Sequence, residues 1–273
     1  MKIGIIGQGF VGNAVKIKFQ SFYDVFTYDL NSSLSNSNFD FIKDNCKIVF
    51  ICVPTPMNST GECDVSIVYD TIKKLSEKKG LIIVNKSTVP PTTTESLNQE
   101  FNKIQVVFNP EFLTERNAVK DYENQTRIIL GGPRPATTIL KNVFSRVFPN
   151  IHIIKTGSKH AEMIKYFTNS FLATKVSFAN EIYDLCQKMN IDYDKIIEYS
   201  TLDKRIGPSH LSVPGPDGDY GFGGHCFPKD LAALIHLTDS LGSLNNVLKA
   251  VNITNNKVRN NRDWEKMKGR AIN

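Results

Sequence analysis

Residues 2–12 read KIGIIGQGFVG, and this stretch is the most informative about the fold of the first half of the chain. Its apolar start has the length of a buried strand, and a helical pattern, NAVKIKFQSF, follows the last glycine. Gly7 permits a tight turn, Gly9 lets a ligand approach the backbone, and Gly12 allows close packing of helix on strand. A strand, a glycine turn and a helix in this order are typical of a site where the helix N-terminus binds a pyrophosphate.

A carboxylate ends the next predicted strand and indicates which dinucleotide is bound. Asp29 lies 22 residues after Gly7, where its side chain can accept hydrogen bonds from an adenosine ribose and would repel a 2′-phosphate. We therefore predict that Asp29 and the loop Gly7–Gly12, including Phe10 and Val11, bind NAD rather than NADP. The alternative is a glycine turn in an unrelated α/β protein.

Strand-length apolar runs alternate with helical stretches as far as about residue 155. The runs are KIGII, VFTYD, KIVFICV, LIIVN, IQVVF, RIILG and IHII. This alternation predicts an α/β fold in which a Rossmann-type parallel sheet is covered by helices, and we place this NAD-binding domain at residues 1–155.

The pattern changes at about residue 156. Residues 158–190 contain no Gly or Pro and keep apolar residues at helical spacing, which predicts one long helix. A Gly/Pro-rich segment, 207–224, precedes two further helical stretches from about Pro228 and Leu244. We therefore predict an all-helical domain at residues 156–273.

Composition excludes several classes of protein. No apolar run approaches the ~18 residues that span a bilayer, so we expect no membrane segment. The chain carries a net charge of +6, of which residues 257–273 supply +4, so we expect no nucleic-acid partner. The five cysteines form no CxxC pair, which argues against a disulfide framework and a zinc site. We predict a cytoplasmic protein without a signal peptide or a metal.

The segment GFGGHCFPKD, residues 221–230, places a cysteine at the predicted start of a helix. Pro228 favours the first helical turn, and a helix N-terminus lowers the pKa of a thiol and activates it as a nucleophile. Asp230 would lie in the same turn, where it can orient water or accept a proton. The alternative is that Cys226 is a small buried hydrophobe and Asp230 a helix-start acid.

Two further pairs of polar residues are candidates. Lys165 and Asn169 lie four residues apart on the long predicted helix and share one face. Glu111 and Glu115, in NPEFLTE, follow a predicted strand at the edge where open α/β sheets bind ligands. The alternatives are a surface lysine beside a polar neighbour and two solvated loop carboxylates.

Taken in order, seven motifs resemble the UDP-glucose/GDP-mannose dehydrogenase family. They are GQGFVG, FICVPTP, KSTVPPTTTE, NPEFLTERNAVKD, AEMIKYFTNSFLA, DKRIG and GFGGHCFPKD, and they extend from Gly7 to Asp230. The resemblance is closest to UDP-glucose 6-dehydrogenases and implies a four-electron oxidation of a sugar C6 alcohol to a carboxylate. In the family, two NAD accept the hydrides, and a cysteine holds the aldehyde as a thiohemiacetal and then as a thioester.

The resemblance also implies roles for individual residues. Cys226 would be the nucleophile, Lys165 with Asn169 would stabilise oxyanions, and Thr88, Glu115 and Asp230 would arrange waters and protons. Besides the glycine loop and Asp29, the matched cofactor positions are Thr55, Thr88, Glu115 and Lys229. The matched substrate positions are Glu111, Phe112, Leu113, Lys165, Asn169, the loop Leu211 to Gly215, Gly223 and Arg205. The arginine matching Arg205 reaches the substrate of a neighbouring subunit in relatives, which implies a homodimer built on the long helix.

The chain departs from the family pattern in several places. The segment after Asp29 is short, Thr92 replaces a common glycine, and Thr114 with Arg116 replaces the frequent Arg and Gly. The family's second Rossmann-like domain has no counterpart before Asn273. This difference is compatible with a minimal enzyme, a partner chain that supplies the domain, or a degenerate fragment.

Other functions compete with this prediction. GDP-mannose or a UDP-N-acetylhexosamine would use the same catalytic residues. One-step hydroxyacid dehydrogenases also join a Rossmann domain to helices and use a Lys/Asn pair, but they need no cysteine. A catalytically inactive nucleotide-sugar-binding relative is the non-enzyme alternative.

Overall fold

A computed structural model describes residues 1–273, and the chain forms two compact units. The first consists of residues 1–55 and 65–165, and the second of residues 56–64 and 166–273. The predicted domain boundary at 155 precedes the long helix, whereas the compact units divide within that helix, after Lys165.

The first unit is built on a seven-stranded sheet in the order β2-β1-β3-β4-β5-β6-β7. Its strands are β1 (Lys2–Ile6), β2 (Asp24–Tyr28), β3 (Ile48–Ile51), β4 (Ile82–Asn85), β5 (Gln105–Phe108), β6 (Arg127–Gly131) and β7 (His152–Thr156). Every predicted apolar run forms one of these strands. The strand order reverses direction between β1 and β3, and ligands of open α/β sheets bind at the crevice that such a reversal creates.

Six helices of this unit connect the strands. They are α1 (Phe10–Phe19), α2 (Phe39–Asn45), α3 (Ser66–Leu75), α4 (Thr93–Glu100), α5 (Ala118–Glu123) and α6 (Ala136–Val147). Successive strand residues point to opposite faces, so Phe50 packs with α1 and α6, whereas Val49 and Ile51 pack with α2 and α3. Burial on both faces explains why these strands are continuous apolar runs without polar alternation.

The predicted α/β fold class is confirmed, with one local difference in strand direction. Strands β1 to β5 are parallel, and β6 is parallel to β7, but β5 and β6 pair antiparallel through Phe108 and Gly131. Strand length and apolarity carry no information about direction, so the sequence pattern could not predict this reversal.

The second unit is helical. Helix α7 (Ser158–Met189) enters it at Tyr166 and is followed by α8 (Tyr193–Ser200), α9 (Phe227–Ser240) and α10 (Asn246–Val258). Helices α7, α9 and α10 lie where the sequence predicts helices, whereas α8 was not predicted as a separate element. Phe222, Leu231 and Val251 form one buried cluster of this unit. No helix of the protein combines the length and the apolarity that a membrane span requires.

Candidate functional site

The glycine loop of the first unit has the geometry of a dinucleotide cradle. Helix α1 begins at Phe10 with Gly9 as its N-cap, and Val11 lies in its first turn. A Cβ atom at Gly12 would lie 1.9 Å from the Gly7 carbonyl oxygen, so only glycine permits this close packing. A Cβ at Gly9 would meet no atom within 4 Å. The open space beside Gly9 at a helix N-terminus therefore fits a pyrophosphate.

Asp29 follows β2 and is fixed beside the glycine loop. Its Oδ2 accepts a hydrogen bond of 2.7 Å from the Gln8 amide, and its Oδ1 accepts one of 2.8 Å from the Asn31 amide. A carboxylate held at the end of this strand suits the ribose hydroxyls of an adenosine. The loop and Asp29 thus fit NAD together.

Replacing Asp29 with alanine is expected to weaken NAD binding about 10–100-fold, because hydrogen bonds to a charged group contribute ~1.5–3 kcal/mol. The preference for NAD over NADP should fall as well, since the carboxylate no longer repels a 2′-phosphate. Calorimetric titration with both cofactors measures these changes. Asp44→Ala, at an exposed aspartate of the same unit, is the control. Unchanged NAD affinity in Asp29→Ala would exclude this carboxylate from the cofactor site.

The first unit also contains a buried lysine-glutamate pair. Lys165 is only 2% exposed, which excludes the alternative of a surface lysine. Its Nζ donates hydrogen bonds of 2.8 Å to Glu111 Oε1 and 2.7 Å to the Glu111 carbonyl oxygen. Glu111 Oε2 accepts a hydrogen bond of 2.7 Å from the Leu113 amide, and the Lys165 ammonium lies 5.5 Å from the centre of the Phe112 ring. Of the predicted substrate residues, Glu111 and Phe112 therefore contact Lys165, and Leu113 contacts Glu111.

A second buried lysine, Lys86, belongs to the same cluster and was not among the predicted site residues. Lys86 Nζ donates hydrogen bonds to Asn109 Oδ1 (2.9 Å) and to the Asn109 carbonyl oxygen (3.3 Å). Its ammonium lies 5.4 Å from the centre of the Tyr122 ring. Burial lowers the pKa of Lys86 to about 8. Lys86 begins the KSTVPP motif, so the sequence marked its position. A motif does not show, however, that its lysine is buried.

Charge controls the ionisation of Glu111. Burial acts to raise the pKa of its carboxyl group, but the Lys165 ammonium, the Leu113 amide and Lys86 together bring the pKa below its usual value. Glu111 is therefore a buried carboxylate near two lysines. A cation fixed in a buried environment can stabilise developing negative charge without reorganisation.

In the second unit, Cys226 occupies the predicted helix start. It is the N-cap of α9, Pro228 lies in the first turn, and the Asp230 amide donates a hydrogen bond of 2.9 Å to the Cys226 carbonyl oxygen. The thiol is half-buried. A helix N-terminus carries a partial positive charge that favours a thiolate over a thiol.

Asp230, 1% exposed, organises the polar groups around this helix start. Its Oδ1 accepts a hydrogen bond from Lys229 Nζ, and its Oδ2 accepts one of 2.6 Å from Asn169 Nδ2. Burial acts to lower the pKa of Lys229, but the Asp230 carboxylate, followed by Cys63 and Cys226, raises it above its ordinary value. Lys229 is therefore a buried cation within electrostatic range of the Cys226 sulfur.

The remaining predicted positions are distributed over both units. Thr55 and Thr88 are buried in the first unit, and Glu115 begins an exposed 3-10 turn, Glu115–Asn117. In the second unit, Arg205 is exposed and pairs with Asp203. The loop positions there are Leu211, Gly215 and Gly223. Of the two glutamates in NPEFLTE, Glu111 forms a buried ion pair with Lys165, which the sequence analysis did not predict.

Residues 28–152 match the model of the "UDP-glucose/GDP-mannose dehydrogenase family, NAD binding domain", and residues 159–257 match that of the same family's "central domain". The chain is 38% identical to a UDP-glucose 6-dehydrogenase of Rickettsia bellii over 252 residues, which cover 89% of this chain and 53% of that protein. It is 37% identical to UDP-glucose 6-dehydrogenase TuaD of Bacillus subtilis, over 86% of this chain and 50% of that protein.

A solved structure agrees with these sequence matches. The UDP-glucose dehydrogenase of Pyrobaculum islandicum superposes with a TM-score of 0.85 and 29% identity, covering 94% of this chain and 68% of the other. The chain spans about half the length of the curated relatives it matches.

Proposed function

The chain belongs to the UDP-glucose/GDP-mannose dehydrogenase family, and from this premise we propose that it oxidises the C6 alcohol of UDP-glucose to a carboxylate, with NAD as electron acceptor. The observation that carries the proposal is the position of Cys226 at the start of α9, beside the buried Lys229 and Asp230. A one-step alcohol oxidation needs no nucleophile, whereas oxidation to the acid uses one to hold the aldehyde. One sugar alcohol, two NAD⁺ and one water then give one carboxylate, two NADH and three protons.

Cys226 carries the covalent steps. Its thiolate sulfur attacks C6 of the aldehyde, a C–S bond forms, and the carbonyl oxygen gains a proton to give a thiohemiacetal. Removal of a hydride from C6 and of the proton from the C6 hydroxyl gives a thioester, which water attacks. The C–S bond then breaks, releasing the carboxylate and restoring the thiolate. Bound NAD supplies the hydride acceptor for both oxidation steps.

The groups around Cys226 support these steps. The Lys229 cation favours the thiolate, because their opposite charges attract. Asp230 takes a proton from the attacking water, and Asn169 orients the Asp230 carboxylate through their hydrogen bond of 2.6 Å. We assign Asn169 and Lys229 to positioning and charge, and Asp230 to proton transfer.

Lys165 supplies a second function, which is charge stabilisation at the substrate oxygen. Its ammonium is buried and held by Glu111, so it is already oriented when negative charge develops on the C6 oxygen. Glu111 is the counter-ion of Lys165 and is an additional candidate for proton transfer. Thr88 and Glu115 keep their predicted roles in arranging water and cofactor.

The sugar is tested by comparing kcat/KM for UDP-glucose, GDP-mannose and UDP-N-acetylglucosamine with NAD. The names of the curated relatives favour UDP-glucose, and we expect it to exceed the other two at least about tenfold. A higher kcat/KM for another of these nucleotide sugars would show that UDP-glucose is not the preferred substrate. Binding of UDP-glucose without NADH formation would favour the inactive binding relative.

We also propose that the chain forms a homodimer through α7. Five large apolar side chains follow one another at helical spacing and are 49–66% exposed: Phe167, Phe171, Phe178, Leu185 and Met189. The rings of Phe167 and Phe171 stack with their centres 6.0 Å apart. A contiguous apolar stripe of this length on one helix is typical of a protein interface. On this proposal, the exposed Arg205 would reach the substrate of the partner subunit.

Phe178→Asp is expected to convert the dimer to a monomer, because a charge at the centre of an apolar interface would be buried without a partner. Light scattering after size-exclusion chromatography measures the mass. Gln187→Asp, an exposed position nine residues further on the opposite side of α7, is the matched control and should remain dimeric. A monomeric wild-type protein, or a dimeric Phe178→Asp variant, would contradict this interface.

A further inference from the structure

The glycine-rich segment before Cys226 is held by side chains from three other parts of the second unit. Asn180 on α7 accepts a hydrogen bond of 3.1 Å from the Gly221 amide. Residues of α10 and of the following 3-10 helix, Asp263–Lys266, contact the rest of the segment. None of these residues belongs to a motif used above. A glycine-rich segment has many accessible conformations, so an external restraint is needed to fix it.

Asn255 on α10 binds the middle of the segment. Its side chain is buried, its Oδ1 accepts a hydrogen bond of 2.8 Å from the Phe222 amide, and its Nδ2 donates one of 3.0 Å to the Phe222 carbonyl oxygen. A Cβ at Gly221 would lie 2.4 Å from Asn255 Oδ1. The amide of Asn255 therefore satisfies both backbone groups of one residue at close approach.

Asp263 and Arg259 bind the end of the segment. Both carboxylate oxygens of Asp263 lie 3.1 Å from the Gly224 amide, and Arg259 Nη2 lies 3.7 Å from Asp263 Oδ1. Arg259 is itself buried and pairs with Asp217 at 2.7 Å. A Cβ at Gly223 would lie 2.4 Å from both Arg259 Nη2 and Asp263 Oδ1, so a larger residue there would displace these two side-chain ends.

These contacts end two residues before the thiol. We propose that Asn255, Arg259 and Asp263 form a clamp of positioning residues, which holds residues 221–224 so that the Cys226 thiol stays at the N-terminus of α9. The clamp deepens the proposed function, since it rests on Cys226 being the nucleophile. The position of the Cys226 thiol matters because the effect of a helix terminus on a charge falls off within the first turn. A reacting group displaced by about 1 Å can lose ~100-fold in rate.

The clamp is tested by the rate of Cys226 alkylation with iodoacetamide as a function of pH, followed by peptide mass spectrometry. This readout needs neither NAD nor a sugar, so it is independent of turnover. For Asp263→Ala and Asn255→Ala, we expect the pH of half-maximal rate to rise by about one unit, towards the ~8.5 of an unperturbed thiol. Asp263→Asn keeps one oxygen for the Gly224 amide and should fall between Asp263→Ala and the wild type.

Two matched controls separate positioning from general damage. Glu265→Ala removes the same charge from an exposed position of the same 3-10 helix, and Asn256→Ala removes an exposed amide from α10. Both should keep the wild-type profile. If thermal unfolding shows that Asn255→Ala does not fold, the Asp263 variants decide alone. If Asp263→Ala folds and its alkylation rate has the same pH dependence as that of Glu265→Ala, the clamp is overturned. If only the clamp variants lose turnover and show a shifted pH dependence of alkylation, the clamp is supported. A wild-type chain without turnover would refute the proposed function and leave the clamp result unaffected.

Discussion

Cys226→Ser is expected to lower formation of UDP-glucuronate at least about a thousandfold, because the serine hydroxyl remains protonated and attacks the aldehyde far more slowly than a thiolate. The measurement is the rate of acid formation from UDP-glucose and NAD, with the acid quantified by chromatography. Cys186→Ala, at a buried cysteine of the same unit, is the control and should retain most of the activity.

The same variant separates two classes of enzyme. A dehydrogenase that oxidises an alcohol in one step uses no cysteine, so Cys226→Ser would leave its NADH formation within a few-fold of wild type. An enzyme that needs the thiohemiacetal stalls after the aldehyde. Full NADH production by Cys226→Ser would therefore remove the covalent step from the account.

Lys165→Met is expected to lower the free energy of unfolding by about 3–5 kcal/mol, because removal of one partner leaves a charge buried and unpaired. Glu111 would lose the two hydrogen bonds that its side chain and carbonyl oxygen accept from Lys165 Nζ. Chemical denaturation monitored by fluorescence measures the change. The double variant Lys165→Met/Glu111→Gln should be more stable than the sum of the single effects predicts, since neither charge remains.

The difference in the free energy of unfolding between the wild type and Lys165→Met is expected to depend on pH. In the wild type, the pKa of Glu111 lies below its unfolded value, so its contribution is present above the usual glutamate range and is lost as pH falls through the folded pKa. Without Lys165, burial acts to raise that pKa, so the variant loses stability as pH rises. The difference in the free energy of unfolding between the two proteins should therefore become smaller at acid pH. Additive single effects and a pH-independent difference would contradict a buried ion pair.

Much of the fold was predictable because it follows from local patterns. The glycine loop before α1, the apolar runs of the strands and the long helix α7 each depend on residues adjacent in sequence. The helix start at Cys226 was predictable for the same reason, since Pro228 marks a first turn.

The site was less predictable, because its contacts join residues that are distant in sequence. Lys165 meets Glu111 across 54 residues, and Asn255 meets Phe222 across 33. A period or a motif identifies such residues without giving their partners, which is why the burial of Lys165, the second lysine Lys86 and the clamp needed the structure. The antiparallel pairing of β5 with β6 was missed because apolar patterning carries no strand direction.

The stoichiometry of NADH to acid tests the four-electron oxidation most directly. Purified chain is mixed with UDP-glucose and NAD, NADH is followed by its absorbance, and the UDP-glucuronate formed is quantified in the same sample. We expect two NADH for each acid. One NADH for each product, with the aldehyde accumulating, or no NADH with UDP-glucose bound, would contradict this expectation.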